Sequence, residues 1–449
     1  MGSEKVNRHC AIWQCLRNIT SMNTKLAVVG KLIDGVSDQV QEEMTLIIEG
    51  EHITSVEPTK PESIAFMKAD GTEVVDLTAY TVMPGIVDAH MHFFGVPSHK
   101  LYLIPTENEA YRVLRATSEA NAMLRAGITA ARCLGSSVSP SLRRAINEGL
   151  VPGPRLVVSG EFICSSNGTW DHLYLPLPWM RELGMLADGA EEVRQKVRER
   201  LRQGANVIKV GLSQAGVGDR YHPWGEDPYQ NVPAYSLEEV MALTEEAHSN
   251  RVRVSAHCIS DWSVRSALEA QVDVIEHGYP ISEQTRERVV ESGTIVTTTA
   301  SQILYHKQAA HEYQYANYEI ELFDRHLGIM RENFEAGLAA GVKYALGTDL
   351  VGRPTHPQDE AAKEFEIVVD WGMTPMQAIK AGTAMSADAL GMADEIGTLE
   401  PGKFADLVAM KDDPLSDITA LQRIDFVMKG GEVIRHSDEE VLNREEARW

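Results

Sequence analysis

Eight short apolar runs recur between residues 86 and 349, separated by longer stretches of helical periodicity, and this alternation restricts the fold of the 449-residue chain more than any other feature. The runs are IVDAHMH (86–92), TAARCL (129–134), RLVVSG (155–160), NVIKVG (206–211), RVRVSAH (251–257), VDVIEH (272–277), TIVTTT (294–299) and KYALGTD (343–349). Runs of this length, rich in Val, Ile and Thr, read as buried strands. The segments between them, such as EEVRQKVRERLRQGA and SLEEVMALTEEAHSN, repeat apolar residues at helical spacing, and the second opens with the Ser-x-x-Glu of a capping box. Eight such units predict an α/β chain folded as a closed (β/α)8 TIM barrel with insertions. An open doubly wound sheet is the competitor. It would place a glycine-rich phosphate loop after the first strand, where this chain reads AHMHFFG.

The flanking segments differ in texture. KLAVVGKLIDG, EEMTLIIEGEHITSVEP and TEVVDLTAYTVMPG precede the alternating region, and GTLEPGKFADLVAMKDD and DFVMKGGEVIRH follow it. Apolar and polar residues alternate in them between Gly, Asp and Pro breaks, as in half-buried strands. The expected organisation is therefore an N-terminal extension at 1–23, a small β-sandwich-like domain from 24–83 plus 394–436, the barrel at 84–393, and a charged tail at 437–449. A formal net charge of −23, spread along the chain, argues against nucleic acid or an anionic membrane as partner. No apolar stretch approaches the roughly 18–20 residues of a membrane span. The five cysteines (Cys10, Cys15, Cys133, Cys164, Cys258) are scattered without a CxxC pair. They point to reduced thiols and a cytoplasmic setting rather than a disulfide framework.

Polar residues stand out against this apolar pattern. Side chains at i and i+2 of a strand share a face, so His90 and His92 project together while Met91 faces the other way. The fourth run carries Lys209, the fifth and sixth end in His257 and His277, and the eighth ends in Asp349. Each alone has a bland explanation: a hydrogen-bonded histidine, a snorkelling lysine, a capping aspartate. Six ionisable groups aimed at one barrel rim are not explained independently, because active sites of this fold lie at the C-terminal strand ends. Neutral imidazole and carboxylate are ligands preferred by Zn2+ and similar ions. A lysine desolvated at such a rim loses its proton more readily, and the free amine reacts with CO2 to give a carbamate able to bridge two metals.

PGIVDAHMH, AGITAARCLG, the Lys209 strand, SAH (255–257), IEHG (275–278), GTD (347–349) and IGTLEPGKFADLVAM together resemble a metal-dependent hydrolase of the amidohydrolase superfamily, over roughly residues 26–435. The middle of the chain is similar to the branch containing Xaa-Pro dipeptidases, ochratoxin-type amidases and imidazolonepropionase-related proteins. The resemblance implies two divalent ions, most simply Zn2+. It puts His90, His92 and Asp349 on one, His257 and His277 on the other, and carbamylated Lys209 between them. It further implies hydrolysis of an amide-type bond of a small molecule, with Asp349 moving the proton, and a homo-oligomer. The chain departs from the branch pattern at Cys133 after Arg132, at Ser213-Gln214-Ala215-Gly216 after the lysine strand, and in CSSNGTWDHLY. These changes leave the ligand set intact and bear on the substrate. His172, Tyr235 and Arg132 are candidate substrate contacts, and aromatic residues of the loops, such as Trp170, Tyr174, Trp224 and Tyr313, suit an aryl or hydrophobic amide, N-acyl amino acid or dipeptide. A phosphotriesterase or lactonase could use the same ligands. Ring deamination fits less well, because Ser260 stands where such enzymes carry glutamate and Lys209 is present. A dead scaffold would lack a ligand.

Overall fold

The computed structural model of the chain describes residues 24–214, 228–229 and 232–437. The expected extension over 1–23 and all but the first residue of the expected charged tail lie outside the described residues, as does Trp224. The described residues form two compact units, one from the chain up to Gly85 and from Asp394 on, the other spanning Ile86–Ala393.

The first unit holds β1 (Thr24–Leu32), β2 (Gln41–Glu49), β3 (His52–Pro58) and β4 (Glu73–Pro84), together with three strands from the far end of the chain. Eight strands of the second unit intervene: β5 (Ile86–Met91), β6 (Ile128–Cys133), β7 (Arg155–Val158), β8 (Ile208–Gly211), β9 (Val254–Cys258), β10 (Val274–His277), β11 (Ile295–Thr298) and β12 (Tyr344–Leu346). The remaining three are β13 (Leu407–Met410), β14 (Phe426–Lys429) and β15 (Glu432–His436).

In the first unit the strands form one seven-stranded sheet in the order β15-β14-β13-β4-β1-β2-β3. Only β1 and β4 pair in parallel; the other neighbours are antiparallel. Register shifts at Val29/Lys31, Ile47/Ile48 and Val427/Met428 bend the strands. Ala27 and Val29, Leu46 and Ile48, Leu407 and Ala409, and Phe426 and Met428 are same-face pairs, and all join one core cluster. The sheet thus packs one apolar face on itself, each fully buried large side chain contributing about 1.5–3 kcal/mol.

In the second unit every strand pair is parallel, in sheets ordered β5-β6-β7 and β12-β11-β10-β9-β8. Strand order follows chain order without the reversal a doubly wound sheet requires. Isolated parallel bridges, Met91 to Leu350 and Ile163 to Val210, link the two sheets at both edges. The helices between strands bury one stripe each. In Glu109–Arg125 the buried residues are Arg112, Ala116, Glu119, Ala120, Met123 and Leu124, at helical spacing, and the Asn108 side chain caps the start. The capping box at Ser236 and Glu239 opens the helix Leu237–Ser249.

Candidate active site and metal centre

The strand ends of the second unit surround a cavity of about 430 Å³, and His90, His92, Lys209, His257, His277 and Asp349 all line it. β5 delivers His90, with His92 one residue past its end; β8, β9 and β10 deliver Lys209, His257 and His277; Asp349 follows β12. Ring centroids lie 5.1 Å apart for His90 and His277 and 4.6 Å apart for His257 and His277. One donor atom each from His90, His277 and Asp349 falls within 4.8 Å of the others.

Backbone conformation aims two of these groups. His277 and Asp349 adopt φ of 68° and 56°. That left-handed region costs a residue with a Cβ roughly 1–2 kcal/mol. At His277 it breaks strand alternation, so that both Glu276 and His277 turn towards the inside.

Surrounding partners orient the imidazoles. His92 Nδ1 lies 3.1 Å from the Gly135 carbonyl, which only accepts, so the ring proton sits on Nδ1 and the lone pair on Nε2. That Nε2 is 2.9 Å from Asp349 Oδ1. His90 Nδ1 faces Glu276 Oε2 at 2.8 Å, and its Nε2 lies 3.5 Å from the same Asp349 oxygen. A carboxylate beside Nδ1 holds the proton there. Burial, and after it the Lys209 charge, holds His90 well below the usual imidazole range, so the ring stays neutral. Nitrogen lone pairs of His90 and His92 therefore each face the same Asp349 oxygen, while the donor atoms that all lie close to one another are those of His90, His277 and Asp349, a grouping that a cation would satisfy. His277 Nδ1 pairs with Thr299 Oγ1 at 2.7 Å, again leaving Nε2 as the available atom. Lys209 Nζ is buried with no hydrogen-bond partner, and burial lowers its pKa to about 8. An uncompensated ammonium is costly there, whereas a deprotonated amine open to carbamylation is not. The donor set fits divalent metal.

Below the cavity lies a layer not anticipated from the sequence. Asp88 Oδ1 accepts from the backbone N–H of His90 and of Thr348, each at 3.1 Å, and Oδ2 accepts from the Thr348 hydroxyl at 2.7 Å. Glu276 accepts from Ser255 Oγ and, at 2.7 Å, from Arg132. Asp88 was findable, because positions 88, 90 and 92 share a strand face.

Two expected substrate contacts are corrected by this geometry. Arg132 is fully enclosed, donating to the Ala89 carbonyl at 2.7 Å, the Ala389 carbonyl at 2.9 Å and Glu276. It braces the layer under the histidines and does not line the cavity. Tyr235 is buried, with its hydroxyl donating to the Ala187 carbonyl at 2.9 Å, and likewise stands off the cavity wall. His172 does line the cavity, its ring edge-on to Trp170 at 5.8 Å, and burial lowers its pKa to about 4. Trp170 stacks on Phe162 at 4.6 Å, and Tyr174 and Tyr313 also line the cavity. Trp179 and Tyr229 are exposed, and the Tyr305 hydroxyl is tied to Glu360.

Family membership and relatives mark the chain as a hydrolase acting on carbon–nitrogen bonds. The chain belongs to the amidohydrolase family, whose model matches residues 81–434. It is 32% identical over 384 residues to the ochratoxinase of Aspergillus niger, covering 79% of this chain and 75% of that protein. The solved structure of A. niger ochratoxinase superposes with a TM-score of 0.81 at 28% identity, covering 92% of this chain and 96% of that one. A Xaa-Pro dipeptidase solved with methionine in its active site gives a TM-score of 0.80 at 29% identity, covering 92% and 99%.

Proposed function

We propose that this chain is a binuclear-metal amidohydrolase that cleaves an aryl or hydrophobic amide, an N-acyl amino acid or a dipeptide. The observation that carries the reading is the cluster of His90, His277 and Asp349, whose donor atoms lie within 4.8 Å of one another, with His92 Nε2 2.9 Å from the same Asp349 carboxylate. His90, His92 and Asp349 would hold one ion, His257 and His277 the second, and carbamylated Lys209 would join them. Carbamylation adds the neutral Lys209 amine to CO2, forming an N–C bond and releasing one proton, and it turns a buried amine into an anionic oxygen donor. Divalent ions bound there, most simply Zn2+, supply Lewis acidity that polarises a carbonyl and lowers the pKa of water.

The chain's own residues do the rest. Asp349, the most accessible of the six at 9% exposure, takes the proton of the attacking water and hands it to the departing nitrogen. Glu276 and Gly135 fix ring orientation from behind. Phe162, Trp170, His172 and Tyr174 offer an aromatic wall against which a planar acyl or amine group packs. The names of the relatives, an ochratoxinase and a Xaa-Pro dipeptidase, support amide chemistry. We also read the eight parallel strands as one closed (β/α)8 barrel, supported by the bridges at both sheet edges.

The test is a substrate panel of aryl amides, N-acyl amino acids and dipeptides, run with and without chelator. Chelator-sensitive turnover of at least one amide class is expected. Inert amides beside rapid hydrolysis of lactones or organophosphates would refute the reading.

A further inference from the structure

The cavity has a second wall, and its chemistry is different. The helix Ala300–Gln308 begins at the end of β11, where Glu364 accepts from the backbone N–H of Ala300 and Ser301 at 2.9 and 2.8 Å. Ser301 Oγ donates to the Thr348 carbonyl at 3.2 Å, one residue before Asp349. Thr299 holds His277. Gln302, on the first turn of this anchored helix, is thus set beside the catalytic cluster by partners on both sides.

Gln302 lines the cavity, is only 5% exposed, and its carboxamide oxygen is buried without a hydrogen-bond partner. Its nitrogen has one long contact, 3.5 Å to His306 Nε2. Several neighbouring groups pair with one another. His306 Nδ1 pairs with the Tyr315 hydroxyl at 2.7 Å, and His356 Nδ1 lies 3.2 Å from the Tyr313 hydroxyl. Tyr313 and Tyr315 stack at 5.0 Å with their planes 4° apart. A buried carboxamide left half-satisfied is costly, and at a cavity wall it is placed to bond what the cavity receives. Burial raises the pKa of Tyr313 in this wall to about 12 and lowers that of His356 beside it to about 3, so these two groups are neutral.

We propose that Gln302 is a specificity-determining residue, its carboxamide forming a hydrogen bond with a neutral polar group of the substrate, such as a hydroxyl or amide. The inference rests on the amide-hydrolase reading above and deepens it. Substrates are then amides with two features, a flat apolar part for the Trp170 wall and an uncharged hydrogen-bonding part for the Gln302 wall.

The experiment compares kcat/KM of the metal-loaded enzyme for three benzanilides: unsubstituted, hydroxylated on the acyl ring, and hydroxylated on the amine ring. One hydroxylated compound is expected to be preferred over the parent by about tenfold or more, since a site built to bond a polar group rejects the analogue lacking it. In Gln302→Met, of similar length but without the amide, that ratio falls to near one. Gln302→Glu provides the check if the methionine variant does not fold: it shifts preference towards an aminomethyl-substituted compound by about tenfold. A native enzyme indifferent to the hydroxyl, or ratios unchanged in either variant, would overturn the role of Gln302 while leaving the amide reading in place. Absence of turnover for all three compounds, together with failure of the wider amide panel, would overturn both.

Discussion

An ammonium enclosed by imidazoles and walled off from water gains from giving up its proton. Lys209 is in that position, 3% exposed with its pKa pushed down to about 8. If its carbamate joins two ions, Lys209→Ala should lose bound metal and activity together, by about 100-fold or more in rate, with short carboxylic acids restoring part of both. Full metal content in the alanine variant would remove lysine from the centre. Glu276 tests a different point. It faces His90 Nδ1 and accepts from Arg132, with both carboxylate and guanidinium fully buried. Glu276→Gln leaves the Arg132 charge unpaired and should lower unfolding free energy by about 3–5 kcal/mol, read from a denaturant titration. An unchanged midpoint would mean that the pair does not brace the site. At this scale the sequence was only partly legible. The histidines and Asp349 stood out because polar residues ended otherwise apolar runs. Glu276 did not, because simple alternation places it on the face opposite His277. Arg132 and Tyr235 were misread because neither burial nor partner is visible from residue type alone.

Among elements, the strands were legible because their apolar runs were short, β-branched and regularly spaced, and all eight fold as parallel strands. The small sheet was less so. Period-two alternation says that a strand has one buried face, but not whether that face meets a second sheet or the rest of its own, and the bulges that decide this leave little mark on composition. Glycine in the GTD motif has an element-level reason. A Cβ at Gly347 would stand 2.6 Å from His90 Cβ and 2.7 Å from His90 N, so only glycine lets the end of β12 approach β5 this closely. Gly347→Ala is expected to push His90 away from Asp349, destabilising the fold by roughly 1–3 kcal/mol and reducing bound metal. A thermal melt and metal analysis of the variant check both, and native values in each would show that the approach is dispensable.

For the whole molecule, the proposed chemistry depends on side chains drawn from four strands and from the segments following β5 and β12, spread from residue 90 to residue 349, so metal affinity and folding should be linked. The net charge of −23 belongs to the surface at large and says little about the site. The βα order was readable over this distance because each unit repeats the same period, whereas the substrate was not, because the loops that build the two walls follow no period. The central claim is that these six side chains hold two cations that make the chain a hydrolase. Its most direct test is elemental analysis of the purified, metal-replete protein, with amide hydrolysis followed as the ions are stripped and restored. The account predicts two equivalents of divalent metal per chain, and activity lost and regained in step with them. A metal-replete preparation that binds no divalent ion, or that hydrolyses amides equally well once stripped, would contradict it.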